Sequence, residues 1–413
     1  MINVPISFII PSRNNLRYLK HAYNSIRQNL EKHHEICMAD DASTDDTWAW
    51  MQEISKKDKN VKIYKNPNST RLGHCVLYDH LINNFATNDI FCIFHADMIV
   101  AKGMDTAMLK YMKPKTVVSA TRIEPPLHPN GPEKIIKDFG IEPSEFIQSD
   151  FDEFVKKLKI KYKDVTTNGV FAPWIAWKSE FQEIGGHDQG NFSPQSKEDS
   201  DAFNRMKLNN IQFIQTWEGY VYHLTCRGSR FADGAKRNPD GKVFMKGRET
   251  NEWLAQNAKS TRNFIRKWQS TVLHDEYLSP IISNVYDVTF KVTNCLVGHL
   301  FTLEPWCARL YTDMKQSLIN EYLKQEQPNT LYDLQKRIFN KHHTDLPDTD
   351  IMIEFDCSKL NNQNIQMLTQ LSNIISDSGD VGTFELECFK IYINKMQTYQ
   401  HQLIHADKSG NLR

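Results

Sequence analysis

Ile90-Phe91-Cys92-Ile93-Phe94-His95-Ala96-Asp97 is a short apolar run that stops at a histidine and a carboxylate. Unbroken apolar character over so few residues marks a strand buried on both faces, as in parallel sheets. The same design occurs upstream. Glu35-Ile36-Cys37-Met38-Ala39 leads into Asp40-Asp41, and Ile6-Ser7-Phe8-Ile9-Ile10 leads into Pro11, Ser12 and Arg13. Residues 61–64 and 117–120 are two further short apolar runs. Helical spacing fills the gaps. Leu19, Tyr23, Ile26 and Leu30 form one stripe, and Trp48, Met51 and Ile54 another, behind Thr44 or Asp45 as cap. Residues 77–85 and 104–112 also read as helices. Strand and helix therefore alternate from residue 6 to 120, which predicts an α/β fold with a mixed, mostly parallel, Rossmann-like sheet covered by helices on both faces. Carboxylates at successive strand ends of such a sheet converge in the crevice where open α/β sheets bind ligands.

The pattern breaks over residues 123–165, where Glu124-Pro125-Pro126, Pro129-Asn130-Gly131-Pro132 and a polar helical stretch suggest an insertion. Insertions of this kind commonly carry specificity. Residues 170–177 and 212–222 read as strands, with a helix from about 198 to 209 between them. Residues 228–247 are rich in Gly, Arg and Lys and read as a mobile loop. Beyond residue 250 the texture changes. Residues 252–271 and 311–324 look helical, and the last part alternates strand, helix and strand. The expected organisation is a first domain over 1–245, a helical accessory region over 246–329, and a small α+β module over 330–413.

Composition bounds the function. The 413 residues are 40% hydrophobic and 11% aromatic, enough for a real core. Lys+Arg and Asp+Glu are 50 each, and no long basic block stands out, which argues against nucleic acid as a partner. No pair among the eight cysteines is spaced CxxC, so the spacing gives no zinc-ribbon or thioredoxin signal. Such thiols fit a reducing compartment. The N-terminus enters a strand without signal-peptide character, and a cytoplasmic location is expected. Residues 281–303 are the most apolar late stretch, but Asp287, Lys291 and His299 make them too polar for a transmembrane segment. They read as a buried or partner-facing helix that could dock on the first domain, a partner subunit or a membrane surface. A homo-oligomer would then form through the C-terminal third.

These elements resemble the family 2 glycosyltransferases of GT-A fold. The resemblance is carried by Phe8-Ile9-Ile10-Pro11-Ser12-Arg13-Asn14-Asn15 and by Asp40-Asp41-Ala42-Ser43-Thr44-Asp45-Asp46-Thr47. It continues through Asn66 and Arg71-Leu72-Gly73, through His95-Ala96-Asp97 at the family's DxD position, and through Ile184-Gly185-Gly186-His187-Asp188 ahead of Glu198-Asp199. It covers roughly residues 4–235, and nothing comparable marks the last third.

The resemblance implies a metal-dependent inverting transfer of a sugar from a nucleotide-sugar donor to a hydroxyl of a glycan or other acceptor. A UDP-sugar is the first candidate and a GDP-sugar the second. Donor-side residues would be Pro11, Arg13, Asp41, Arg71, His95 and Asp97. Asp97 and His223 would hold the metal, Mn²⁺ or Mg²⁺, and a histidine ligand favours Mn²⁺. The departure is His95, which stands where the family has the first Asp of DxD. Asp199 would be the general base that takes the acceptor proton. Asn168, Trp174, His187 and Asp188 are acceptor-side candidates. Each has a plainer reading: Asp-rich loops cap helices, acidic first turns answer the helix dipole, strand tryptophans are usually core, and a strand-end histidine usually packs against neighbours. Two other functions compete. A sugar-1-phosphate nucleotidyltransferase would need a Gly-rich turn after the first strand, which Pro11-Ser12-Arg13-Asn14 lacks. A non-catalytic glycan-binding protein is favoured only by the missing first Asp.

Overall fold

The computed structural model describes residues 4–227, 234–245, 249–340 and 349–405. The chain forms two units. The first comprises Met1–His187, Asn209–Ala255 and His274–Ser279, and the second Asp188–Leu208, Gln256–Leu273 and Pro280–Arg413.

The first unit is built on ten strands: β1 (Ile6–Ser12), β2 (Glu35–Asp40), β3 (Val61–Lys65), β4 (Ile90–Ile93), β5 (Met98–Val100), β6 (Thr116–Glu124), β7 (Lys134–Ile136), β8 (Thr166–Thr167), β9 (Trp174–Trp177) and β10 (Gln212–His223). Their order is β3-β2-β1-β4-β9-β6-β10-β5, with β7 beside β6 and β8 beside β10. β1 pairs in parallel with β2 on one side and β4 on the other, so the strand order reverses at β1. The expected α/β sheet is therefore present. Helix Leu16–Asn29 shows how the pattern folds: Leu19, Ala22 and Ile26 repeat at three to four residues and join Ile6, Phe8 and Ile10 in one core.

The stretch read as an insertion, residues 123–165, packs on the first unit's sheet. β7 extends the sheet from β6, and helix Gln148–Lys161 buries Phe151, Val155 and Leu158 against Tyr220 and Tyr222. The loop expected at 228–247 contains a hairpin, β11 (Ala235–Arg237) with β12 (Val243–Met245); residues 228–233 and 246–248 lie outside the described residues.

The second unit corrects the expected division at residue 329. Its sheet comprises β13 (Val288–Thr293), β14 (Arg309–Thr312), β15 (Ile338–Asn340), β16 (Ile351–Asp356), β17 (Gly382–Leu386) and β18 (Phe389–Ile393), in the order β15-β14-β13-β16-β18-β17. β13 and β14 come from the supposed helical region, yet β13 pairs directly with β16. The polar residue that obscured β13 was Lys291, which stands in register with Glu354 and binds it at 2.6 Å. Residues 281–303 are thus a strand and a short helix, Val297–Leu303, whose Leu300 and Leu303 pack into the unit's own core.

This unit also buries charge. Arg266 binds Glu304 and Glu326, and Arg337 binds Glu304 at 2.6 Å. Lys267 reaches Asp188 and Asp201 at 2.8 Å each. Buried ions persist only when paired in this way. Among the described residues no helix is long and apolar enough to cross a membrane.

Candidate active site

Sheet register brings the predicted metal ligands together. β10 runs antiparallel to β5 with His223 opposite Met98, so His223 stands beside Asp97. The backbone amide of Leu224 fixes this by donating to the Asp97 carbonyl at 3.0 Å. On its other side β10 is parallel to β6, with Tyr222 opposite Ile123, which brings up Glu124. His223 Nδ1 lies 2.8 Å from Glu124 Oε1, and Nε2 lies 3.5 Å from Asp97 Oδ1. Glu124 is itself held by Arg122 at 3.4 Å and Lys134 at 3.2 Å. The His95 ring lies 5.7 Å from that of His223 and stacks on His74 at 6.5 Å.

The charges follow from this packing. Burial alone would lower the His223 pKa, but Asp97 and Glu124 outweigh it and raise it to about 9. Burial would raise Asp97, but His223 and then His95 bring it down to about 2. Glu124 is likewise desolvated, yet His223, Arg122 and Lys134 hold it well below the usual carboxylate range. His95 has burial and the His223 charge acting against its protonation and falls to about 3. His74, lowered by burial and Arg71, falls to about 4. At neutral pH the site thus combines two anionic carboxylates and two neutral imidazoles with the imidazolium of His223.

The residues fit a divalent cation. One ligand atom from each of His95, Asp97 and His223 lies within 4.8 Å of the others. Glu124 on Nδ1 orients the His223 ring so that Nε2 faces Asp97, the carboxylate–histidine arrangement typical of metal sites. Nitrogen and oxygen ligands together suit a first-row ion better than Mg²⁺. To bind a cation through Nε2, His223 would first give up the proton on that nitrogen.

The neighbouring strand ends carry buried polar atoms without hydrogen-bond partners among the described residues. Ser12 and Asp40 are opposite each other in register, and Ser12 Oγ and Asp40 Oδ2 are both buried without a hydrogen-bond partner among the described residues. Arg13 Nε is in the same condition. Buried polar atoms left this way need an explanation, and a polar ligand provides one. Asp41 has a different position. Its Oδ1 accepts from Asn66 Nδ2 and the Leu72 amide at 2.8 Å each, and its Oδ2 from the Gly73 amide at 2.9 Å. Gly73 takes a φ of +85°, open to glycine, and so turns its amide to the carboxylate. Asp41 organises the 66–73 loop and with it Arg71, whose Nε is 3.8 Å away. Pro11 is buried within β1.

The acceptor-side expectations fare differently. Asn168 is exposed. Trp174 is 2% exposed, with its ring packed on Phe91 and Phe181, so it is a core residue and no open stacking platform. His187 is buried, and Asp79 takes both its Nδ1, at 2.6 Å, and its amide, at 2.9 Å. In the second unit Asp188 is buried, caps helix Gln189–Phe192 through the Asn191 amide and pairs with Lys267. These are structural tasks. Asp199, in the first turn of helix Glu198–Leu208, is exposed, and its Oδ1 accepts from the Ser200 amide at 2.7 Å. Asp201 is fully buried by contrast, bound by Arg205, Lys267 and Trp268. In and beside the basic loop, Arg227 and Arg237 are engaged with Glu142 and with Asp138 and Glu145 respectively. Arg230 lies outside the described residues.

Sequence reading missed Glu124, hidden ahead of Pro125-Pro126, and His74. The available signal was Glu124's position at the end of a strand.

Residues 7–171 match the family model described as Glycosyl transferase family 2. No curated protein matches the chain. Among solved structures the chain is similar to GalNAc-T7 with UDP, GalNAc and Mn²⁺, at 13% identity and a TM-score of 0.45, covering 66% of this chain and 48% of that one. It is similar to S. aureus TarS 1–349 in complex with UDP, at 14% identity and TM-score 0.38, covering 53% and 60%. It is also similar to the mannosyltransferase PcManGT from Pyrobaculum calidifontis in complex with GDP-Man and Mn²⁺, at 15% identity and TM-score 0.37, covering 62% and 61%. The chain spans less than two thirds of the length of each of these structures. The family match includes Asp41, Arg71, His95 and Asp97 and stops short of Asp199 and His223. The stretch that matches glycosyl transferase family 2, residues 7–171, is less than half of the chain.

Proposed function

We propose that the protein is a metal-dependent, inverting glycosyltransferase that moves a sugar from a nucleoside-diphosphate sugar to a hydroxyl of a glycan or other acceptor. One observation carries the reading: Asp97, His95 and His223 converge on one point, with Glu124 behind them, at the strand ends of a family 2 domain. Asp97 and His223 hold the cation, and His95 lies within the same cluster. A divalent cation bound there supplies Lewis acidity to the leaving diphosphate. The unpartnered atoms of Ser12, Arg13 and Asp40 receive the nucleotide, and Asp41 keeps the Arg71 loop in place beside it. Asp199 takes the proton from the acceptor hydroxyl as that oxygen attacks the anomeric carbon and the bond to the diphosphate breaks. Its exposure supports this role, since Asp201, two residues on, is fully engaged inside its unit. Asn168 is the exposed acceptor-side candidate.

A thermal-shift series with UDP- and GDP-sugars, each with Mn²⁺, with Mg²⁺ and with chelator, tests this. A ligand that binds only the folded state stabilises it by about 2.7 kcal/mol at a hundred times its dissociation constant. One base should give a shift that Mn²⁺ supports better than Mg²⁺. The shift should vanish with chelator and in Asp97→Asn. A shift of equal size in Asp97→Asn would overturn the metal assignment.

A further inference from the structure

The second unit has a switch point of its own. β15, β14, β13 and β16 are parallel neighbours in that order. The chain runs outward from β13 to β15 and then returns to β16 on the other side of β13. In open sheets the crevice outside the carboxyl ends at such a reversal is where ligands bind. The residues at that place are two cysteines and a histidine. Cys295 follows β13, Cys357 follows β16 directly, and the register sets Thr293 of β13 opposite Asp356 of β16. His299 comes from the first turn of helix Val297–Leu303. One ligand atom from each of the three lies within 4.8 Å of the others.

The surrounding loop is braced. Asp313, just past β14, accepts from the Asn294 amide at 2.8 Å, and the Asn294 side chain donates to Asp356 at 2.9 Å. These bonds hold Cys295 against the end of β16. Cys295 and Cys357 are 6% and 2% exposed, while His299 is half-buried. His299 Nδ1 accepts from the Leu296 amide at 3.1 Å, which puts the ring proton on Nε2 and a lone pair on Nδ1.

We propose that Cys295, His299 and Cys357 form a binding site for a soft divalent cation, Zn²⁺ first, at the switch point of the second sheet. Ligand atoms around tetrahedral zinc stand roughly 3.5–4 Å apart, given bonds of about 2.3 Å to sulfur and about 2.0 Å to nitrogen. Modest side-chain rotation closes the observed cluster to that spacing. Binding releases the two thiol protons to solvent, and two thiolates then neutralise the dication, so the buried site carries no net charge. Nδ1 exchanges the Leu296 amide for the metal. Three protein ligands leave one position for water or an incoming group, the pattern of an open zinc site. The proposal is independent of the transferase reading, which rests on other residues.

Cobalt titration of the full chain, stripped of metal and reduced, tests it. A sulfur-to-cobalt charge-transfer band arises only from thiolate ligation, which His95, Asp97 and His223 cannot give. The band should yield to Zn²⁺, persist in Asp97→Asn and saturate there at one equivalent per chain, and vanish in Cys295→Ser and Cys357→Ser. His299→Ala should weaken cobalt binding at least tenfold. If the serine variants do not fold, Zn²⁺ protection of Cys295 and Cys357 from alkylation in the wild type, read by peptide mass, serves instead. No thiolate band and no protection would overturn the site. So would a band that survives undiminished in folded Cys357→Ser.

Discussion

Glu124 holds His223 by its Nδ1, at 2.8 Å, and this contact determines that Nε2 is the nitrogen turned toward Asp97. Glu124→Gln keeps the shape of this contact and removes its charge. Loss of such a supporting carboxylate typically costs about 10–100-fold in metal affinity. The Mn²⁺ concentration for half-maximal activity should therefore rise by at least about tenfold, with turnover at saturating Mn²⁺ largely retained. Loss of turnover at all Mn²⁺ concentrations, with unchanged metal affinity, would contradict this positioning role.

Asp199 and Asp201 are two residues apart and should fail in different ways. Asp199→Asn should lower turnover by about 10²–10⁴-fold, the usual contribution of a general base, with donor affinity unchanged. Asp201→Asn leaves Arg205 and Lys267 buried beside a neutral amide. Breaking a buried pair in this way costs about 3–5 kcal/mol, read as a lower denaturation midpoint. Undiminished turnover in Asp199→Asn would remove it as the base.

Asp41→Asn replaces one acceptor oxygen by a donor. If the amide nitrogen takes the Oδ2 place it faces the Gly73 N–H, and if it takes the Oδ1 place it faces Asn66 Nδ2 and the Leu72 amide. An unmet donor costs about 1–3 kcal/mol. The variant should lose stability of this order, and donor affinity should fall with it because the Arg71 loop loses its anchor. A calorimetric titration of donor alongside a chemical melt checks both.

Glu304 makes the second unit acid-sensitive. Burial acts to raise its pKa, but Arg266 and Arg337 outweigh this and bring it from an ordinary 4.5 to about 2. A depressed carboxylate stabilises the fold above its unfolded value and loses that contribution as pH falls toward the folded one. Stability of this unit should therefore decline between about pH 4.5 and pH 2. Glu304→Gln should remove this part of the decline and lower the midpoint at pH 7, since Arg266 and Arg337 are left short of a counter-charge. A denaturation series across that pH range, on wild type and variant, distinguishes the two.

The parts of the site that could be read from sequence were those announced by a local signature. His95 and Asp97 end an apolar run, and His223 ends another, so each was visible without knowing what lay beside it. Glu124 ends a strand too, but two prolines follow, and they read as loop. Burial was the harder quantity. Trp174 and His187 are polar or aromatic residues near a glycine pair, and only the positions of Phe91, Phe181 and Asp79 show that the packed interior claims them. β13 was missed because Lys291 interrupts its apolar run, and the Glu354 that explains it is on a strand far along the chain. Long-range register of this kind leaves no local mark. The same limit hid Cys295 and Cys357, which become neighbours only through the pairing of β13 with β16.

The second unit takes Asp188–Leu208 from one stretch of chain and Gln256–Leu273 from a later one, and Lys267 answers both Asp188 and Asp201. During synthesis the acidic helix therefore emerges before the lysine that neutralises it, and it waits, exposed or provisionally paired, until the later helix arrives. A chain stopped at residue 245, the boundary that composition invites, would keep two carboxylates shaped for burial and lose the lysine they share, with Arg205 left as the partner of Asp201 alone. Such a fragment should be insoluble or misfolded even with every metal ligand of the first unit intact. The spatial units of this protein are interleaved along its gene, and no single cut releases either of them whole.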